Sequence, residues 1–417
     1  MRWIDVMAAA RPCCAALLLG CSSPWVWAQQ ELGTVLTLEA ALDLALQRHP
    51  DLRASALELE ATEGATRQAE ALPNPELSAL LEDTRRETRT TTWQLNQPVE
   101  LGGKRSARRR VAQSARQQAE SDLAGRRSQV KAQLQAAFHG LAVAQEQLRL
   151  VDELGRLASR AREAATKRVA AGKVSPVEEV KAKVAEAQSR SALAGARSEW
   201  RAARQQLLMA LGDPTVRFDR IDAHLAPLPS LAAWTGIGER VEASPALARA
   251  QHEIQRREAL TEVERAKGIP DVTVNLGVKR DAPSGRQQPV LGFSLPLPLF
   301  DRNQGALLEA SRREDKARAE QDALQASLMA QATDAFEQLS TALALVQALR
   351  EEVLPGARQA LDAATKGYDM GKFNFMDLLD AQRTLFDAET QALAATAQAF
   401  RADARLLELL GDQPTTP

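Results

Sequence analysis

The chain has 417 residues, with 53 Lys and Arg against 54 Asp and Glu, a formal net charge of −1, and only 4% aromatic residues. The length allows two or three domains, and the balanced charge excludes a global field suited to nucleic acid or an anionic surface. Scarce aromatics beside abundant Ala, Leu, Glu, Arg and Gln argue against compact domains and for long helices packed through small side chains.

In chain order, the first element is a leader. Cys13, Cys14 and Cys21 are the only cysteines, and they lie with Arg2, Arg11 and an apolar stretch around Ala15–Gly20. This is the pattern of a secretory signal. Val26-Trp27-Ala28 before Gln29 fits a signal-peptidase site and defines a signal peptide over residues 1–28. Leu18-Leu19-Gly20-Cys21 resembles a lipobox, which would instead leave Cys21 as a lipid-bearing terminus. Past the leader there is no thiol for a disulfide framework. No other run approaches the ~18 apolar residues of a membrane-spanning helix.

The rest of the chain is written twice. Leu36, Pro50, Leu52, Ala71, Pro75 and Leu81 recur as Leu231, Pro245, Leu247, Ala266, Pro270 and Leu276. Thr166, Lys167, Gly172, Lys173, Leu211, Gly212 and Asp213 recur as Thr365, Lys366, Gly371, Lys372, Leu410, Gly411 and Asp412. The units are far longer than solenoid repeats. Residues 29–213 form a first repeat, 214–234 a Pro-rich irregular linker, 235–412 a second repeat, and 413–417 a short tail.

Each repeat opens on a helix, Pro50 to Leu72 and Pro245 to Lys267, stopped by Pro73-Asn74-Pro75 and Ile269-Pro270. The period then changes to two. Val272, Val274, Leu276 and Val278 alternate with Thr273, Asn275, Gly277 and Lys279, and Leu291, Phe293 and Leu295 alternate with Gly292, Ser294 and Pro296. These residues predict a β-hairpin at about 271–298, and a weaker copy lies at about 76–99. Strands of this length with one apolar face suit a lipid-facing barrel wall, with Val272, Val274, Leu276, Leu291 and Phe293 toward lipid. Four strands cannot close around a lumen, so several chains must contribute.

A long helical stretch follows each hairpin, Lys104 to Ala171 and Gln304 to Met370, with Gly155 and Pro355 as candidate bends. The basic run Lys104, Arg105, Arg108, Arg109, Arg110 reads as a solvated or headgroup-facing helix start rather than a nucleic-acid patch. Turns at Gly172-Lys173 and Gly371-Lys372 reverse the chain into shorter returning helices, Val177–Leu211 and Phe375–Leu410. Returning helix plus opening helix matches the long helix in length, so two short helices can stack end to end along each long one.

This duplicated plan resembles the outer-membrane factors of the TolC family over essentially the whole mature sequence. QPVELGGKRSAR after the first hairpin and LPLPLFDRNQG after the second resemble its CzcC-type branch, which serves heavy-metal pumps. The resemblance implies a mainly α protein with a transmembrane β portion. Three chains would form a homotrimer with a 12-strand outer-membrane barrel, four strands from each, continued by a helical tunnel through the periplasm. The implied function is the passive exit duct of a tripartite efflux system, working with a periplasmic adaptor and an inner-membrane pump of the resistance–nodulation–division (RND) type, for heavy-metal cations of the cobalt, zinc and cadmium or the copper and silver type. The same duct could instead serve drugs, organic solvents or a secreted protein. A periplasmic scaffold without a pore is the reading from another class.

By the same resemblance, Asp377 and Asp380 would ring the periplasmic aperture, with Tyr368 as a latch. In the first copy Glu178 stands where Asp377 does, but Lys181 where Asp380 does, and Phe373 occupies an arginine position of the prototype. The bland alternative is ordinary carboxylates at a helix start. Gly172, Lys173, Gly371 and Lys372 would be the adaptor's docking tips. Nothing points to catalysis or a cofactor: His49, His139, His224 and His252 are scattered, and Gly102-Gly103-Lys104 lacks P-loop spacing.

Overall fold

A computed structural model describes residues 35–411, except Thr84, Ala223, His224 and Ala226. The signal-peptide and lipobox readings, Cys21 among them, lie outside the described residues. The described residues begin with a two-residue strand β1 (Val35–Leu36), then helices α1 (Leu38–Arg48) and α2 (Pro50–Glu70), and strands β2 (Glu76–Glu82) and β3 (Thr90–Val99). The long helix α3 (Lys104–Ala170) and its return α4 (Pro176–Leu211) complete the first copy. A short strand β4 (Arg220–Ile221) and a 3-10 turn at Leu231–Trp234 lead to α5 (Ile237–Glu242). The second copy then follows as α6 (Pro245–Lys267), β5 (Val272–Asp281), β6 (Gln287–Ser294), α7 (Gln304–Ala348), α8 (Leu354–Asp369) and α9 (Phe375–Leu410).

The two hairpins join into one antiparallel sheet of order β2-β3-β5-β6. Leu77, Leu95, Leu276 and Leu291 sit directly across from one another on its four strands, and Ala79, Trp93, Val278 and Pro289 make the next row. Side chains alternate across a strand, so these rows share one face with Val272, Val274 and Phe293. The opposite face is polar: Asn96 donates to Ser78 across β2 and β3 at 3.1 Å, and Lys279 reaches Glu82 at 3.4 Å. Gly277 lies on that polar face, where a Cβ would come within 2.3 Å of the Trp93 carbonyl. Four strands at ~4.8 Å spacing make a wall only ~19 Å wide, too narrow to close on itself.

Below the sheet the helices run as long rods. α3 has 67 residues, so it spans ~100 Å, and it runs through Gly155 as continuous α-helix. Its counterpart is interrupted: between α7 and α8 the residues Leu349–Val353 form a π-helical turn just ahead of Pro355. Pro355 has no N–H for the carbonyl four residues back and its ring crowds that carbonyl, which the wider turn relieves.

The short helices do stack end to end. At the end of α4, Gly212 (φ 71°) approaches the start of α2 so closely that a Cβ would fall 2.7 Å from Pro50. At the end of α9, Gly411 (φ 79°) meets Pro245 at the start of α6 at 3.2 Å in the same sense. Both junctions carry apolar clusters. Leu36, Leu134, Leu141, Leu207, Leu211 and Ile221 fill one, and Trp234, Val241, Leu339, Ala399 and Leu406 fill the other. The linker is not wholly irregular: β4 pairs in parallel with β1, strapping the start of the chain to the junction between the repeats.

Candidate functional site

The far end of the helical rods is built from two matched turns. In the first, Lys173 N donates to Arg168 O at 2.9 Å and Gly172 N to Val169 O at 2.9 Å. In the second, Lys372 N donates to Gly367 O at 2.8 Å and Gly371 N to Tyr368 O at 3.0 Å. Gly172 (φ 68°) and Gly371 (φ 74°) hold the left-handed position that such helix ends require. Lys173 and Lys372 are exposed beside them, at the extreme end of the rods.

The returning helices begin with equivalent caps. Ser175 Oγ accepts from Val177 N, and Asn374 Oδ1 accepts from Met376 N at 2.8 Å and Asp377 N at 3.1 Å. Asp377 completes the box by accepting from Asn374 N at 3.0 Å. Asp377 is thus exposed and engaged in capping at once. Asp380, one turn further, is exposed, and its side chain enters no hydrogen bond or ion pair among the described residues. Glu178 takes Asp377's place in the first copy, half-buried, with one carboxylate oxygen enclosed and lacking a hydrogen bond among the described residues. Lys181, in Asp380's place, is exposed.

Tyr368 lies deeper than these carboxylates, at 4% exposure, in an apolar cluster with Ala161, Ala165, Ala182, Phe375 and Leu378. That cluster joins the two helical hairpins. Its polar counterpart is Arg168, whose guanidinium lies 3.9 Å above the Tyr368 ring and donates to the Tyr368 carbonyl at 3.0 Å. Phe373 instead covers Gly367, where a Cβ would fall 2.2 Å from its ring. Sequence reasoning did not single out Arg168. The missing signal is simple: the two partners stand 200 positions apart and follow no shared pattern.

At the sheet end, Leu276, Leu291 and Phe293 are 55%, 77% and 83% exposed, and Val272 and Val274 are half-buried on the same face. The basic run at the start of α3 is neither free nor headgroup-directed in the main. Lys104 pairs with Asp271 at 2.8 Å and Arg109 with Glu70 at 3.2 Å, while Arg108 pairs with Glu100 and Arg110 with Glu262. The pairs to Asp271 and Glu100 tie α3 to the margin of the sheet, and those to Glu70 and Glu262 tie α3 to α2 and α6.

The histidines do not form a site. His49 caps α2 by accepting from Asp51 N at 3.2 Å, and His139 stacks on Phe400 with ring centroids 3.9 Å apart. Burial pushes the His139 pKa down to about 4. His224 lies outside the described residues. Among the described residues there is no group of three or more His, Cys, Asp or Glu fit to hold a metal, and no helix is long and apolar enough to cross a membrane.

A half-apolar sheet carried on long helical hairpins is the architecture of an outer-membrane duct. The chain belongs to the outer membrane efflux protein family, whose model matches residues 41–213 and 237–412, one match to each copy. It is 45% identical over 382 residues to the cobalt-zinc-cadmium resistance protein CzcC of Cupriavidus metallidurans, covering 92% of this chain and 91% of that one. It is 29% identical to the nickel-cobalt-cadmium resistance protein NccC of Alcaligenes xylosoxydans xylosoxydans, over 79% of this chain and 75% of that one. Among solved structures it resembles the outer-membrane channel OprN (TM-score 0.76, 18% identity, 90% of this chain and 89% of that one). It also resembles the outer membrane protein VceC of Vibrio cholerae (TM-score 0.74, 21% identity, 90% and 96%). The protein is an efflux component of the outer membrane, extending into the periplasm.

Proposed function

We propose that three copies of this chain assemble into a 12-strand barrel continued by a tunnel of helical hairpins, a passive exit duct for heavy-metal cations of the cobalt, zinc and cadmium type. The observation that carries the cargo is the 45% identity, across nine-tenths of the chain, to a protein named for resistance to those metals. The incomplete wall carries the assembly, since one chain contributes a four-stranded sheet open at both edges. The duct works with a periplasmic adaptor, which docks at Gly172, Lys173, Gly371 and Lys372, and with an inner-membrane RND pump that selects the metal.

In this reading Val272, Val274, Leu276, Leu291 and Phe293 face lipid, supported by their shared face and exposure. Asp377 and Asp380 line the periplasmic aperture, with Glu178 beside them and Tyr368, held by Arg168, as the tie between hairpins. Their place at the tips of the helical hairpins supports this, as does the exposure of both aspartates. The test is deletion of the gene in its native host, with growth scored on cobalt, zinc, cadmium and a panel of drugs and solvents. Loss of metal tolerance alone is expected, restored by the intact gene. Unchanged metal tolerance with new drug or solvent sensitivity would overturn the cargo and leave the duct.

A further inference from the structure

The two ends of the sheet treat their positive charges differently. At the helix end, Lys104, Arg108, Arg109 and Arg110 are each paired with an acid of the same chain, and of that run Arg105 alone enters no ion pair among the described residues. At the far end, where the hairpin loops turn, six cationic side chains (Arg85, Arg86, Arg89, Lys279, Arg280, Arg286) face four acidic ones (Glu82, Asp83, Glu87, Asp281). The acids there are mostly committed. Glu82 pairs with Lys279, Asp83 pairs with Arg85, and Asp281 accepts from Ser284 at 2.6 Å and Thr90 at 3.3 Å. The side chains of Arg86, Arg89, Arg280 and Arg286 enter no ion pair or hydrogen bond among the described residues, and all four residues are exposed.

Arg280 is the informative one. It lies two residues past Val278 on β5, so it projects from the same face as Val274, Leu276 and Val278, one step beyond the last apolar row. Its cross-strand neighbours there are Thr91 and Gln287, both polar. Arg286 stands one residue further round the hairpin, across from Asp281, whose N–H donates to its carbonyl, and Ala282 N donates to Arg89 O, which brings the first loop against the second. An arginine at the outer margin of a lipid-facing wall meets headgroups, and a guanidinium presents a fork that matches phosphate oxygens.

We infer that this arginine-rich rim, with Arg280 as its outward anchor, binds the phosphates of the glycolipid in the outer leaflet. The inference rests on the outer-membrane duct described above and names the lipid that its outer margin takes. In the trimer three such rims would ring the exit. The attraction is between exposed groups, so it weakens as salt rises.

The test is native mass spectrometry and trimer-dissociation temperature of the detergent-extracted full-length trimer, titrated with diphosphorylated lipid A, its dephosphorylated form, or inorganic phosphate. The wild type should bind and be stabilised by the phosphorylated glycolipid, and at least about tenfold less by either control. Arg280→Gln with Arg286→Gln should lose about tenfold in affinity, and Arg280→Lys should retain part of it, because charge survives without the fork. If the double variant fails to assemble, Arg280→Lys and Arg286→Gln alone carry the comparison. Equal binding of both lipid forms, or unchanged affinity in the variants, would overturn the inference. Binding of inorganic phosphate as tight as the glycolipid would also overturn it, by assigning the rim to free anions. A wild-type chain that yields no outer-membrane trimer would instead sink the duct reading itself.

Discussion

Removing Arg168 tests whether the tie between the two helical hairpins holds the periplasmic end together. Its guanidinium stacks 3.9 Å above Tyr368 and donates to that residue's carbonyl at 3.0 Å. A half-buried cation–π contact and a charged hydrogen bond together contribute ~2 kcal/mol once solvent screening is counted. Each chain carries one such tie, so concerted opening of a trimer would break three. Arg168→Ala should then favour the open form by ~6 kcal/mol, about a 10⁴-fold shift in the equilibrium. Arg168→Lys should fall between, because it keeps charge but loses the planar stack. Single-channel recording in planar bilayers reads the result as longer and more frequent open dwells at unchanged barrel conductance. If Arg168→Ala opens no more often than the wild type, while the trimer stays intact, the tie does not gate the duct.

Replacing Asp377 and Asp380 together with Ala should weaken cation preference and block by multivalent cations from the periplasmic side. The lost capping of α9 should cost ~1 kcal/mol or less, and unchanged selectivity would reduce both residues to a solvated helix start. Leu276→Arg should cost ~2–4 kcal/mol and impair outer-membrane insertion, whereas Asn275→Arg on the opposite face should insert normally; quantified membrane fractions decide, and equal tolerance would contradict the facing of the wall. His139 has its pKa lowered by burial to about 4 from 6.5, so the unfolded chain takes up the proton first. Its contribution to stability is therefore full above pH 6.5 and declines as pH falls toward 4, by at most ~3 kcal/mol. Thermal unfolding of His139→Gln should show a flatter acid limb than the wild type, and parallel limbs would refute that assignment.

What could be read ahead of the structure was whatever repeats. The period-two hairpins carry a signal over a whole strand, and the prolines at Pro50, Pro75, Pro245 and Pro270 mark where helices start and stop. The duplication then checks each copy against the other, which is why stacking at Gly212 and Gly411 could be anticipated from length alone. α1 and the β1–β4 strap were not legible: two-residue strands have no period, and their pairing joins residues more than 180 positions apart. The tip was half legible. Asp377 and Asp380 stood out by resemblance, but the capping role of Asp377 depends on Asn374. The cation on Tyr368 comes from the other hairpin, not from the neighbouring turn that holds Phe373. The basic run at Lys104 was visible as charge, yet its partners Glu70, Asp271 and Glu262 are scattered through three other segments.

The π-helical turn at Leu349–Val353 makes the two long helices mechanically unlike. A turn of this kind takes up one residue beyond the α-helical count, so the face of α8 is rotated by ~100° from where a uniform helix would carry it. α3 passes the same depth as one continuous α-helix. The second long helix carries its joint there, and Tyr368 lies beyond it on α8. In the proposed trimer, torque applied at the tip by a docking partner would be taken up at that joint in one hairpin and passed on by the other. The three jointed arms of that trimer would then turn outward while the three continuous ones keep the barrel's footing still.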